Sequence, residues 1–193
     1  MEFKGINNSD NNTCVFCSCT ADRQNNVFDI SPALHSIMQA CGLKSTLDDT
    51  EPECIILRGA CSIEQAEVLI NQYKKNSIKR AMIVHASSPA LDAISVCSET
   101  TIFKLKDGDV QKYTVTPEQF GIKRAQIQSL RGATEEYNRN LLKDIFKGKI
   151  KDAKLDFIAL NAGFLLYMAG IAKNPLNGII KAYTLINQIG KAL

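Results

Sequence analysis

The stretch CIILRGACSIEQAEVLINQYKKNSIKRAMIVHA, residues 54–86, decides the fold class. It opens with a short apolar run that ends in a glycine, and it closes with a second apolar run, KRAMIVHA. Between the two runs, Ser62 and Gln65 have the spacing of a capping box, and apolar residues then recur every three or four positions. A strand, a helix and a strand in this order predict parallel strands joined by a right-handed crossover. The sequence therefore predicts α/β architecture.

The sheet is expected to continue into a β-hairpin and to be flanked by helices. Residues 100–106 and 110–116 form two β-rich arms around Asp107-Gly108, which is a strong signal for a two-residue turn. We therefore expect a partial mixed sheet with an antiparallel piece. Start and stop residues predict helices from Ser31 to Gly42, from Thr134 to Gly148, over residues 152–172, and from Pro175 to Gly190.

Composition bounds the remaining possibilities. A chain of 193 residues with 45% hydrophobic residues can bury one core, and a net charge of +3 lacks the excess of a dedicated nucleic-acid binder. Residues 1–27 are polar and rich in asparagine, so we expect a poorly ordered N-terminal segment followed by one domain over residues 28–193.

No secretory signal is evident at the N-terminus, so a cytoplasmic protein with reduced thiols is expected. The longest uncharged apolar run, residues 157–172, is 16 residues long, whereas about 20 are needed to cross a bilayer. It is interpreted as a buried helix, and no membrane partner is expected.

Three cysteines lie close together near the N-terminus. Cys14, Cys17 and Cys19 form a C-x₂-C-x-C run, which can hold zinc or an iron–sulfur cluster if a fourth ligand comes from elsewhere. The sequence shows no evident fourth ligand, so metal binding and free thiols both remain open.

Four separate pieces of sequence carry a resemblance to a known family. They occur in one order along the chain: MIVHASSPALDAIS (82–95), LKDGDVQKYTVTPEQFGI (105–122), LNAGFLLYMAG (160–170) and GKAL (190–193). Together they resemble the C-terminal part of the α/β domain of the anthranilate phosphoribosyltransferase family, over residues 28–193.

The resemblance implies an activity and a set of site residues. Members of that family transfer a phosphoribosyl group from phosphoribosyl pyrophosphate (PRPP) to anthranilate, with Mg²⁺, in tryptophan biosynthesis. By resemblance, Asp92 is the metal and pyrophosphate carboxylate, Ser95 is its substrate-binding neighbour, and His35 lies near the amine acceptor. No residue is assigned as catalytic.

The sequence also departs from the family pattern. Ala93 replaces the second of two adjacent acidic residues, and neither a glycine-rich phosphate loop nor the N-terminal helical domain of the family is found in the 193 residues. We therefore expect a truncated domain that is inactive alone or needs a complementing chain or homo-oligomer, and whether it is an enzyme remains open.

Other interpretations of the same residues stay open. Asp92 could be a turn or helix-capping carboxylate, and His85 a core-edge imidazole bonded to the backbone. Lysines recur in YKKNSIKR, residues 73–80, and in IFKGKIKDAK, residues 145–154, as they do on ordinary solvated faces. They also leave room for a non-catalytic family member that binds phosphate or nucleic acid.

Overall fold

The computed structural model describes residues 14–18, 26–46 and 48–192, which form a mixed sheet with helices on both faces. The strands are β1 Cys14–Ser18, β2 Lys44–Ser45, β3 Ile55–Gly59, β4 Arg80–Ser87, β5 Ala90–Leu91, β6 Thr100–Lys106 and β7 Asp109–Val115. The α-helices are α1 Ser31–Ala40, α2 Ile63–Lys75, α3 Glu135–Phe146, α4 Ala153–Met168 and α5 Pro175–Ala192. Two short 3₁₀ helices, Pro117–Phe120 and Ile127–Leu130, connect β7 to α3.

The sheet has the strand order β2-β1-β3-β4-β6-β7, with β5 paired to the end of β4. β1 pairs in parallel with β2 and β3, and β3 pairs in parallel with β4. β4, β6 and β7 are antiparallel neighbours. This arrangement confirms the predicted partial mixed sheet with a hairpin and C-terminal helices.

β1 lies in the segment for which the sequence predicted poor order. Val15 is fully buried, and the backbone of β1 pairs with both β2 and β3. The sequence did not predict this strand, because its pairing partners are distant in sequence. The expectation of a poorly ordered segment over residues 1–27 otherwise stays a prediction. Residues 1–13 and 19–25 lie outside the described part of the chain.

The predicted crossover is present, and its helix begins where the capping box indicated. The Ser62 hydroxyl accepts a hydrogen bond from the backbone N–H of Gln65 at 3.1 Å. The Gln65 side chain in turn accepts from the backbone N–H of Cys61 at 2.7 Å. α2 then buries Ala66, Ile70 and Tyr73 against one face of the sheet.

The hairpin and the C-terminal helices complete the domain. Asp107 and Gly108 have φ of 50° and 89°, the left-handed conformation that a tight turn between twisted strands requires. On the second face of the sheet, α4 is buried over nearly all its length, as predicted for residues 157–172. No helix in the described ranges is long and apolar enough to span a membrane.

Two helix ends differ from the sequence-based expectation. α4 ends at Met168, because Gly170 with φ of 73° turns the chain before the apolar run is finished. α5 passes through Gly190 instead of ending there. A Cβ at that position would overlap the backbone carbonyl of Phe146, so this glycine allows a close helix contact.

Candidate functional site

Asp92 and Ser95, two of the three residues assigned by resemblance, lie on the segment that follows β5 at the carboxyl ends of β3 and β4. β5 pairs with Ala86 and Ser87 at the end of β4, and Asp92 follows β5 directly. A Cβ on Gly59, the last residue of β3, would overlap the backbone carbonyl and the Cβ of Asp92. Only a glycine lets the strand approach this closely, so Gly59 fixes where the partly exposed Asp92 lies relative to the sheet.

The segment 92–98, here called the Asp92 loop, is held from below by Asn161 of α4. The Asn161 side-chain oxygen accepts from the backbone N–H of Ile94, and its amide nitrogen donates to the carbonyls of Ile94 and Phe157, all at 2.9 Å. Asn161 is completely buried. A polar side chain at this depth is tolerated because its hydrogen bonds are satisfied, and it ties the loop to the helix beneath it.

Ser95 organises the same loop from within. Its hydroxyl oxygen accepts hydrogen bonds from the backbone N–H groups of Cys97 at 2.9 Å and Ser98 at 3.1 Å. Its own backbone N–H donates to the hydroxyl of Thr100 at 2.9 Å. Ser95 is 1% exposed, so in this geometry it shapes the loop that carries Asp92, and its substrate-binding role stays a prediction.

His85 lies near the end of β4, and its ring forms a hydrogen bond with the backbone. Its Nδ1 is 2.8 Å from the carbonyl oxygen of Ala60, and a carbonyl only accepts, so Nδ1 is the donor. The ring is 7% exposed. This geometry agrees with a core-edge imidazole that is bonded to the backbone.

His35 lies on a different element from the Asp92 loop. It is exposed, while Ala33 and Leu34 of the same helix are buried. α1 runs from the carboxyl edge of the sheet toward the amino edge, because β2, which follows it, pairs in parallel with the start of β1. His35, in the first half of α1, is therefore nearer the carboxyl edge, and its role at an amine acceptor stays a prediction.

Glu64 is an acidic residue at this edge that sequence reasoning did not single out. It is fully exposed in the first turn of α2. A backbone N–H of its own residue and the Ser62 hydroxyl hold the pKa of its carboxyl below the ordinary value, and nearby His85 adds to the effect. Its position in the sequence could have indicated it, because Glu64 lies two residues after the Ser62 helix cap and follows a parallel strand. Ligand-binding polar groups of α/β proteins converge at such strand ends.

The protein ligands at this edge fit Mg²⁺ only if a bound phosphate supplies further oxygen ligands. Asp92 offers one carboxylate, and the neighbouring Ala93 is buried and offers a methyl group. In the described part of the chain, no three His, Cys, Asp or Glu side chains come together as a metal cluster. Since Mg²⁺ is commonly held by one or two carboxylates together with substrate phosphates, Asp92 could supply one such ligand.

The cysteine run Cys14, Cys17 and Cys19 lies largely outside the described residues. The backbones of Cys14 and Cys17 belong to β1, but their side chains and all of Cys19 lie outside the described residues. Metal binding and free thiols therefore both stay open for these cysteines.

Comparison with known proteins identifies the family. The model of the glycosyl transferase family α/β domain matches residues 52–193. The chain belongs to this family. Within it, the chain is anthranilate phosphoribosyltransferase-like, being 36% identical over 146 residues to anthranilate phosphoribosyltransferase from Shewanella putrefaciens. That alignment covers 76% of this chain and 41% of the relative, so the chain spans less than half the length of the curated relatives it matches.

Solved structures agree with the family assignment. Anthranilate phosphoribosyltransferase from Thermus thermophilus has a TM-score of 0.61 at 28% identity, over 69% of this chain and 38% of that chain. The Saccharomyces cerevisiae enzyme in complex with PRPP and Mg has a TM-score of 0.76 at 16% identity, over 93% of this chain and 70% of that chain. The second likeness establishes the fold alone.

Proposed function

We propose that this chain provides the metal-facing half of a phosphoribosyl transfer site, in which PRPP donates its phosphoribosyl group to the amine of anthranilate in tryptophan biosynthesis. The observation that carries the proposal is the placement of Asp92. The close approach at Gly59 and the hydrogen bonds from Asn161 hold its loop at the carboxyl edge of the sheet. Ligands of open α/β sheets bind at this edge.

In this proposal Asp92 contributes one oxygen to a magnesium ion that the pyrophosphate brings with it. The bound metal would neutralise charge on the leaving pyrophosphate. Ser95 keeps the loop in shape through its hydrogen bonds, and His35 is assigned to the neighbourhood of the amine acceptor, as the resemblance implies. These roles rest on the resemblance and on the positions of the three residues.

Such a site also requires a pyrophosphate-binding loop that the 193 residues do not contain. The glycines of the chain are dispersed, and the 193 residues contain no glycine-rich loop whose backbone N–H groups could cradle a pyrophosphate. We propose that this loop comes from a segment joined to the chain, from a complementing chain, or from a second copy in a homo-oligomer.

Titration calorimetry with PRPP and Mg²⁺, with and without anthranilate, tests the proposal. We expect PRPP to bind, and Asp92→Asn to weaken binding at least about tenfold, since a charge-assisted contact contributes about 1.5–3 kcal/mol. The matched control is Asp144→Asn, because Asp144 makes its ion pair with Lys149 on a different surface of the domain.

Two outcomes would count against the proposal. Equal PRPP affinity in wild type and Asp92→Asn would remove Asp92 from the site. Absence of binding at about 10 mM PRPP, a ligand excess that detects even affinities weaker than 1 mM, would leave the family relationship as ancestry without this activity.

A further inference from the structure

A second polar site lies at the amino edge of the sheet, away from Asp92. A pocket of about 200 Å³ opens between the start of β4, the end of β6 and the C-terminal end of α4. Its polar lining is formed by Arg80, Lys104, Lys106 and Tyr167. We call this cavity the basic pocket. Arg80 begins β4 and Ala86 pairs with Leu91, so at about 3.3 Å per strand residue the pocket is about 20 Å from the Asp92 loop.

The sheet register concentrates positive charge in this pocket. Arg80 lies directly opposite Lys106 in the antiparallel pair of β4 and β6. Lys104 is two residues before Lys106, so it projects from the same face of β6. Like charges directly opposite each other on a sheet are destabilising. The repulsion between Arg80 and Lys106 therefore calls for a negatively charged partner.

Little within the described residues neutralises these three cations. The ion pairs of the described chain do not include Arg80, Lys104 or Lys106, and no acidic side chain lines the pocket. Asp109 pairs with Lys106 on the neighbouring strand, but it is exposed at the outer edge of the sheet. The C-terminal end of α4 adds about half a negative charge, against three positive ones.

The ammonium group of Lys104 is held by contacts with Tyr167. Lys104 donates to the Tyr167 hydroxyl oxygen at 2.7 Å, and its ammonium group lies 4.9 Å from the centre of the Tyr167 ring. Because the hydroxyl oxygen is the acceptor in this contact, its proton is available to donate to a ligand. Two cations and one hydroxyl donor therefore surround a space whose other walls include the apolar Met168 and Ala172.

We propose that the basic pocket binds a small phosphate monoester. A phosphate of this kind carries a charge of about −1.5 to −2 at pH 7, which matches the excess of positive charge. Arg80 and Lys106 hold the phosphate oxygens, the Tyr167 hydroxyl donates a third hydrogen bond, and the organic part packs against Met168 and Ala172. The small volume favours a metabolite over a polymer, and Lys104 already covers the tyrosine ring on which a base would stack.

This site is independent of the proposed phosphoribosyl transfer, and its test keeps the two apart. Phenyl phosphate is titrated into the ¹⁵N-labelled chain at constant ionic strength, with inorganic phosphate and benzoate as comparison ligands. We expect phenyl phosphate to bind most tightly and to shift the amide signals of residues 104–106 and 167–170. Arg80→Gln and Lys106→Gln should each weaken binding about tenfold, as expected for loss of one charge-assisted hydrogen bond.

Two control variants make the result specific. Lys123→Gln removes an exposed charge on a different loop and should leave the affinity for phenyl phosphate unchanged. Asp92→Asn should also leave it unchanged, because that residue lies at the other edge of the sheet.

Three results would overturn the proposal. The first is no shift at about 10 mM phenyl phosphate, which excludes even millimolar affinity. The second is an affinity that does not change in Arg80→Gln and Lys106→Gln. The third is tighter binding of a single-stranded oligonucleotide that depends on these same residues, which would make the surface a nucleic-acid contact.

Discussion

Replacing Asn161 by leucine is expected to lower the free energy of unfolding by about 3–5 kcal/mol, because it leaves buried polar groups without partners. Leucine has the same branched outline and number of side-chain heavy atoms as asparagine, although its methyl groups are larger, and the N–H and carbonyl of Ile94 both lose their partner. Each such buried group costs about 1–3 kcal/mol. Urea denaturation followed by circular dichroism measures the loss.

The matched control is Asn140→Leu, the same substitution at an exposed position of α3. It should change stability by no more than about 0.5 kcal/mol. A loss below about 1 kcal/mol in Asn161→Leu would mean that other contacts hold the Asp92 loop, and that Asn161 is not what positions it.

Replacing Gly178 by alanine should destabilise the domain by about 2–3 kcal/mol, although alanine is the better helix former. Gly178 of α5 is buried where α5 crosses α4, and a Cβ there would overlap the backbone carbonyl of Gly163. At an exposed helix position the same change would stabilise by about 1 kcal/mol, so the sign of the effect reports the helix contact. Thermal or urea unfolding gives that sign directly.

Asn177→Ala, one residue earlier and exposed, is the control for helix propensity alone. It should be neutral or slightly stabilising. Stabilisation by Gly178→Ala would contradict the close α4–α5 contact, since the added methyl group would then have room.

Local signals predicted much of the fold because they act over a few residues. The Ser62 cap, the Asp107-Gly108 turn and the Thr134 cap all lie where the sequence placed them. β1 was missed because its ordering comes from parallel pairing with β2 and β3, which are distant in sequence.

The site was harder to predict, because its key contacts join distant positions. A single asparagine in an apolar helix indicates a buried polar group, but its partner Ile94 lies 67 residues away. The basic pocket depends on the register that pairs Arg80 with Lys106, whereas in the sequence YKKNSIKR resembles an ordinary solvated run. The resemblance predicted Asp92 and Ser95 as site residues, which stays a prediction. Only the structure shows that the Ser95 hydroxyl accepts hydrogen bonds from the backbone of its own loop.

The central claim is that a metal–phosphate ligand binds at the carboxyl edge beside Asp92. Mn²⁺ can replace Mg²⁺ at oxygen ligands, and it broadens the NMR signals of nearby amides. With PRPP present, we predict that Mn²⁺ broadens the amides of Gly59, Asp92 and Ala93 most strongly, and that Asp92→Asn abolishes this pattern. Broadening centred elsewhere, or unchanged in Asp92→Asn, would contradict the claim.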